Sequence, residues 1–455
     1  MPRKNSDFTT GHPTKKLLLF SLPLIAIMVI QCFYNMADSI VVGRFVGEDA
    51  LAAVSSAGSV TQIVTMLLSG VSMGLSVMVS QYYGAKDEDM VKKAIMTSIY
   101  VILGTSIVLA AIGAIFAHEF LRLVRVPENI LDDATTYLVI IFLGTPATAM
   151  YNTANGVARA TGDGVTPMIV LIITAILNVG LNILFVAVFK LAVAGVAYAT
   201  VIATVISAIA CVILTWKRIP VVRPNADSFR PNGTVVKNLI KLGIPSALQS
   251  AATSIGGLAV QTVVNGFGST VIAAYSSAQK VEAMISFPPG GFTGAMQVWT
   301  GQNVGAGKFE RVKEGYIATI KVIVAYSVFS IVVLLLCGKQ LMTLFSDGEQ
   351  FLTIGAQYLA CICTGVFPVG MLYLSRSTLV GAGDAKAAVY TTAIEIATRV
   401  ASAFLLAHLY GYIGMFFAAP IGAVFGGTFA TVRYLSGKWK DKAIVKRKPE
   451  PQTAE

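Results

Sequence analysis

The sequence predicts an all-α polytopic membrane protein with twelve transmembrane helices arranged as two parallel six-helix repeats. Three observations carry that prediction. The 455 residues are 55% hydrophobic and 13% charged, with a mean hydropathy of +0.73, a composition outside the range of soluble globular domains. The apolar residues fall into twelve blocks, most of them 20 residues or longer, the length a helix needs to cross a hydrocarbon core of about 30 Å. The chain also matches itself at a constant spacing of 221 residues.

In chain order the predicted spans are 15–42, 51–80, 92–117, 132–158, 166–189, 192–216, 237–264, 272–300, 314–337, 352–379, 386–409 and 411–434. The first block exceeds the apolar core of a signal peptide and lacks a small-residue cleavage pattern, so it is expected to remain in the mature chain. The net charge of +11 raises the question of a nucleic-acid partner, but its placement answers it. With the N-terminus inside, 25 of the 34 Lys and Arg fall in the N-tail, the even-numbered loops and the C-tail. Only Arg44, Arg122, Arg125, Lys190 and Lys339 fall in the opposite loops. This asymmetry predicts a multi-pass protein of the inner (plasma) membrane with both termini cytoplasmic. The cluster Lys438, Lys440, Lys442, Lys446, Arg447 and Lys448 reads as a tail lying against anionic lipid. The expected partners are membrane lipid and a small-molecule substrate, with no nucleic acid and a monomeric state.

The repeat sets the architecture. LAAVSSA at 51–57 returns as IAAYSSA at 272–278, Tyr137-Leu138 as Tyr358-Leu359, Met150 as Met371, and Gly162-Asp163 as Gly383-Asp384. The predicted divisions are an N-terminal bundle at 1–216, a polar linker at 217–236, a C-terminal bundle at 237–434 and the basic tail at 435–455. A six-helix unit begins and ends on one side, so the two copies share an orientation. Parallel repeats enclose a central cavity and suit alternating access, which favours a transporter over a receptor or an enzyme.

GRFVGEDALAAVSSA after the first helix, QYYGAK after the second, ATGDGVTP after the fourth and GQNVGAGKFERVKEG after the eighth resemble the multidrug and toxic compound extrusion (MATE) family. The resemblance runs from about Lys16 to Tyr434. It implies a V-shaped set of twelve helices and a secondary antiporter that exports amphiphilic, often cationic, drugs and other xenobiotics in exchange for protons or sodium ions. No cofactor beyond that coupling ion is expected.

An ionisable group at the bilayer centre costs about 2.5 to 3.5 kcal/mol on insertion scales, so each one needs a reason. Asp38 lies in the first span, about 30 Å along a helix that begins near Lys16. Gln31, Tyr34 and Asn35 precede it on the same helical face, forming a polar stripe. Two readings fit this stripe: a structural cap or hydrogen-bond cluster, and a protonation or cation site whose carboxylate changes state during transport. Asn178 and Asn182, four apart, share a face of the fifth helix. The resemblance implies a cation site built from the first-helix Asp with an Asn and an acid in helix five. Asn182 stands where many relatives carry that acid. The missing carboxylate weakens a sodium site, which prefers several oxygen ligands, and favours a proton on Asp38. Some relatives carry acids in helices seven and ten; both helices lack Asp and Glu here.

Further candidates for contact with substrate or cavity are Lys280, Glu282, Glu395 and Arg399. Lys280 and Glu282 are two apart and point to different sides of a helix, so each is expected to pair elsewhere. Glu395 and Arg399 are four apart with the acid first, the favourable order for an intrahelical pair that hides both charges from lipid. Arg376 is expected to snorkel from the end of helix ten. Pro288-Pro289-Gly290-Gly291 predicts a kink or break in helix eight with freed carbonyls facing a cavity. GVSMG at 70–74 predicts a close helix contact.

Rival classes fare poorly. GQNVGAGK lacks the spacing and the Ser or Thr of a phosphate loop. His12, His118 and His408 sit at a tail or at segment ends, and the five cysteines lie in or beside apolar segments as packing residues, with Cys361 and Cys363 spaced unsuitably for a metal. No nucleophile with a base and an orienting group is evident, so an enzyme is not expected. The alternative function is a flippase for lipid-linked saccharides, which would need basic residues within the helices of the first half.

Overall fold

The computed structural model describes residues 7–445. Lys446, Arg447 and Lys448 of the predicted basic tail lie outside them. Among the described residues every regular element is a helix. The first repeat contains α1 (Pro13–Phe45), α2 (Glu48–Gly84), α3 (Glu88–Ile115), the short α4 (Ala117–Leu123), α5 (Glu128–Leu143), α6 (Thr145–Ala160), α7 (Val165–Asn182, continued by a π-helical turn at Ile183–Val188) and α8 (Ala192–Arg218). The second contains α9 (Gly233–Val264), α10 (Ser269–Gly305), α11 (Phe309–Met342), α12 (Glu349–Ile362), α13 (Val366–Gly381), α14 (Ala385–Phe416) and α15 (Ala418–Leu435).

All twelve predicted spans appear as helix. Two of them, 132–158 and 352–379, were expected as single segments and are instead bent pairs, and the last, 411–434, begins at a kink at Gly411 (φ 64°) inside α14 and is divided between α14 and α15 at Phe417. α5 meets α6 at 48° and α12 meets α13 at 51°. The breaks fall at Gly144 and Gly365, again 221 residues apart. In the first, Pro146 supplies no N–H for the carbonyl four residues back and sits in the first turn of the new helix, where that N–H is dispensable. Seven helices are individually long and apolar enough to cross a membrane, and the bent pairs bring the number to nine among the described residues. The remaining three, α9, α10 and α15, correspond by repeat position to α1, α2 and α8, which pass that test. Lys237, Lys241, Lys280 and Glu282 dilute the apolar character of α9 and α10.

Pro288 and Pro289 do not break α10, which runs as one helix through both. Pro289 cannot donate to the Ile285 carbonyl four residues earlier, and the Tyr326 hydroxyl of α11 donates to that oxygen instead, at 2.7 Å. The structure therefore satisfies the freed acceptor from a neighbouring helix and preserves the helix path.

The chain forms two compact units. One contains Ala26–Ala247; the other contains Phe8–Ile25 and the residues from Leu248 onward. The core of the first gathers Val42, Leu121, Leu138, Phe142 and Val196. That of the second gathers Val264, Tyr275, Tyr358, Leu359 and Phe416. In the second unit Phe8 is buried against Phe20 and Trp299, with ring centroids 5.1 and 5.8 Å away. Its N–H donates to Gln302 Oε1 at 2.9 Å, and its carbonyl accepts from Asn303 at 3.2 Å.

The repeated Gly-Asp turn is used differently in the two halves. Asp163 Oδ1 accepts from the backbone N–H groups of Val165 and Thr166, each at 3.0 Å, and so caps α7. Asp384 instead pairs with Arg433 of α15 at 2.8 Å. Replacing Asp163 with Ala is expected to lower stability by about 1 kcal/mol, read as a lower thermal midpoint in detergent. An unchanged midpoint would show that the cap contributes nothing.

Candidate cation site in the first repeat

Asp38, Asn178 and Asn182 meet in the first unit. Asn182 Nδ2 donates to Asp38 Oδ1 at 2.8 Å and to Asn178 Oδ1 at 2.9 Å. Asn178 Nδ2 in turn donates to Thr200 Oγ1 of α8 at 3.4 Å. The i, i+4 spacing on α7 stacks the two amides on one face, and the capped turn at Asp163 fixes the helix that carries them. Both asparagines are fully buried, while Asp38 and Tyr34 are half-buried.

The orientation of the Asn182 amide is dictated by its neighbours, because both groups near its nitrogen are acceptors. Its own carbonyl, Oδ1, is buried and accepts no hydrogen bond from the protein. A buried amide oxygen without a donor is costly. The pocket thus presents a carboxylate and an unused amide oxygen side by side, an arrangement that welcomes a proton, a water or a cation. Hard oxygen donors of this kind fit sodium. As arranged, however, the direct 2.8 Å bond closes the space between Asp38 and Asn182, so an ion bridging them needs the amide to turn.

The predicted stripe on α1 divides in two. Tyr34 lies close enough to Asp38 and Tyr151 to interact with both electrostatically. Gln31 and Asn35 are exposed and bond to one another at 3.2 Å. Two residues escaped the sequence reading. Tyr137 of α5 sits within electrostatic reach of Asp38 and Tyr34, and Thr200 anchors Asn178. Tyr137 was visible as half of a repeat match with Tyr358, whereas Thr200 carried no signal.

In the second unit the charges pair otherwise than predicted. Glu395 bonds Arg376 of α13 at 3.3 Å, not Arg399 four residues along its own helix. Arg376 does not snorkel: its side chain is 17% exposed and stacks over Tyr373 at 4.9 Å. The reason is local packing. Gly422 and Gly426 of α15 lie against the stems of Arg399 and Glu395, so α15 approaches closely on that side and Glu395 reaches across to α13. Glu282 accepts a hydrogen bond from the Tyr358 hydroxyl, and Lys280 lies 5.9 Å over the Phe345 ring, so those two point apart as their spacing predicted.

Comparison with known proteins identifies the family of the chain. The chain is 28% identical over 448 residues to a probable multidrug resistance protein, YpnP, of Bacillus subtilis, covering 98% of this chain and all of that one. It is 23% identical to the probable multidrug resistance protein NorM of Thermotoga maritima, over 95% and 94% of the two chains. A crystal structure of MATE in the bent conformation shares the fold with a TM-score of 0.90 at 21% identity, over 98% of this chain and 100% of that one. The model of the MatE family matches twice, at residues 23–184 and 245–405, once in each repeat. The chain belongs to the MatE family of membrane transporters.

Proposed function

We propose that the protein exports small amphiphilic, cationic compounds across the plasma membrane, driven by exchange for a cation at the Asp38 pocket, with protons as the coupling ion. The reading rests on one observation above others: a carboxylate within a membrane-spanning helix, hydrogen-bonded to Asn182 beside an amide oxygen that no protein group satisfies. Intramembrane carboxylates with such surroundings serve ion pathways and proton relays. The names of the relatives, multidrug resistance proteins over nearly their full length, support the drug-efflux half. The proton is favoured over sodium because a single carboxylate is present and the Asp38–Asn182 bond leaves no gap for an ion.

The experiment is ethidium efflux from proteoliposomes under an imposed proton gradient or an imposed sodium gradient. Efflux driven by protons alone is expected. Efflux driven by sodium alone would assign an ion to Asp38, Asn178 and Asn182 together. No efflux under either gradient would overturn the reading and return attention to lipid-linked substrates.

A further inference from the structure

The stretch GQNVGAGKFER, residues 301–311, holds the chain's own N-terminal segment. Residues 8–11 belong to no regular element, so their backbone groups need partners from elsewhere. They find them at the end of α10 and the start of α11. The Phe8 N–H donates to Gln302 Oε1 at 2.9 Å, and the Phe8 carbonyl accepts from Asn303 Nδ2 at 3.2 Å and from Arg311 Nη2 at 3.3 Å. Lys308 Nζ donates to the Thr9 carbonyl at 2.9 Å, and Arg311 Nη2 to the Gly11 carbonyl at 2.8 Å. Phe8 itself is 1% exposed and packs against Phe20 of α1 and Trp299 of α10. A chain terminus is ordered only where it is tied down, and here every printed tie comes from one stretch of sequence.

The side chains that do this are particular to the second repeat. At the 221-residue offset Gln302 corresponds to Gln81, but Trp299, Asn303, Lys308 and Arg311 correspond to Met78, Tyr82, Asp87 and Met90. The two repeats nevertheless make the same turn: Ala85 and Asp87 donate to the carbonyls of Gln81 and Tyr82, as Ala306 and Lys308 donate to those of Gln302 and Asn303. Asp87 has a different task, accepting from the Met90 N–H at 3.0 Å to cap α3. The turn therefore has no need of Trp, Asn, Lys and Arg at those four places, and holding the N-terminal segment is what they add.

The pocket is braced independently of the segment. Trp299 Nε1 donates to the Arg311 carbonyl at 2.9 Å, Phe309 packs edge-on against Trp439 at 5.8 Å, and Trp439 and Tyr316 both stack on Tyr434, at 5.7 and 4.0 Å. The segment is held by one ring and by side chains that reach its backbone, and even when docked it leaves the buried Asn303 Oδ1 and Arg311 Nε without a hydrogen bond. Each unmet group subtracts from the gain of docking, the balance that a reversible contact requires. α1 begins at Pro13, two residues after Gly11, so docking fixes its first turn to the α10–α11 turn. A transporter must pass between two arrangements of its helices, and α1 carries Asp38. We propose that residues 8–11 are a releasable latch: docked, they pin the start of α1 to the α10–α11 turn, and each transport cycle requires their release.

The test is maleimide labelling of the full chain carrying Thr9→Cys, read at residue 9 by peptide mass spectrometry. Thr9 is 5% exposed, so the reagent reaches a thiol there only after release. Labelling is expected to go to completion in the folded protein, at least about tenfold more slowly than at Thr10→Cys, whose position is exposed. Phe8→Ala or Arg311→Gln, whichever stays folded, is expected to speed it at least about tenfold. Lasting protection would show a fixed anchor and overturn the latch; labelling as fast as at Thr10→Cys, or a rate that neither loosening variant moves, would overturn it too. A second arm joins Thr9→Cys to Lys308→Cys with a short bis-methanethiosulfonate linker, in place of the Lys308 contact with the Thr9 carbonyl. Ethidium efflux from proteoliposomes is expected to fall at least about tenfold on linking and to return on reduction with dithiothreitol, while neither single-cysteine variant responds to the reagent. Unaltered efflux from the linked protein would overturn the latch. Only this arm rests on the proposed export of cations: if the unlinked protein moves no ethidium, that function fails and the labelling still decides the latch.

Discussion

Replacing Asp38 with Asn is expected to reduce gradient-driven efflux at least about tenfold while leaving the protein folded. The substitution conserves shape, and a carbonyl oxygen at the same place still accepts the Asn182 Nδ2 hydrogen bond found at 2.8 Å. What it removes is the capacity to change charge. A neutral carboxamide neither ionises nor takes up a proton near neutral pH, so the coupling proton loses its binding site and exchange driven by it is lost. Because both partners remain hydrogen-bonding groups, no buried donor is orphaned and the cost to stability should stay within about 1 kcal/mol. The measurement is the initial rate of ethidium efflux from proteoliposomes matched for protein content and orientation, with thermal midpoints of wild type and variant alongside. Efflux above about a tenth of the wild-type rate with an unchanged midpoint would remove Asp38 from the coupling step.

Much of this protein was legible in its sequence because a membrane imposes period and length on a helix. Every predicted span became helix, and the 221-residue offset located equivalent structures with no reference to coordinates: the break at Gly144 has its partner at Gly365, and the Gly70 contact has its partner at Gly291. The meeting of Asp38 with Asn178 and Asn182 was foreseen through family resemblance; helical spacing alone placed the two asparagines on one face and said nothing of which helix they faced. Where the reading missed, tertiary packing decided. Glu395 and Arg399 satisfy the spacing rule for an intrahelical pair, yet the glycines of α15 admit that helix so closely that Glu395 turns to Arg376. Two consecutive prolines signal a kink, yet the Tyr326 hydroxyl satisfies the freed carbonyl and α10 continues. In both cases the outcome depended on a partner more than thirty residues away or on another helix, which no local pattern encodes.

The same substitution at two glycines of α2 is expected to shift stability in opposite directions. A Cβ at Gly58 meets nothing within 4 Å, whereas a Cβ at Gly70 falls 2.5 Å from the backbone N and Cα of Ala247 in α9. At Gly58, alanine removes the entropic disadvantage of glycine in a helix, a gain of about 0.5 to 1 kcal/mol. At Gly70 that gain is overwhelmed, since backbone atoms cannot rotate aside and the helices must separate; overpacking of this kind costs about 1 to 3 kcal/mol. The contact continues one turn on, where a Cβ at Gly74 would lie 2.9 Å from the Gly243 backbone N, so α9 cannot shift along α2 to escape. A Cβ at Gly291 of α10 would fall 2.3 Å from Cγ1 of Ile25 in α1 and 3.1 Å from its backbone N. In each repeat the second helix therefore receives the N-terminal half of the other repeat's first helix through a glycine. Thermal midpoints in detergent should rise for Gly58→Ala and fall for Gly70→Ala, and Gly291→Ala should behave like Gly70→Ala. A rise at Gly70 would mean that α2 and α9 are held apart by something other than the missing side chain, and the small-residue stripe would then have no part in setting their distance.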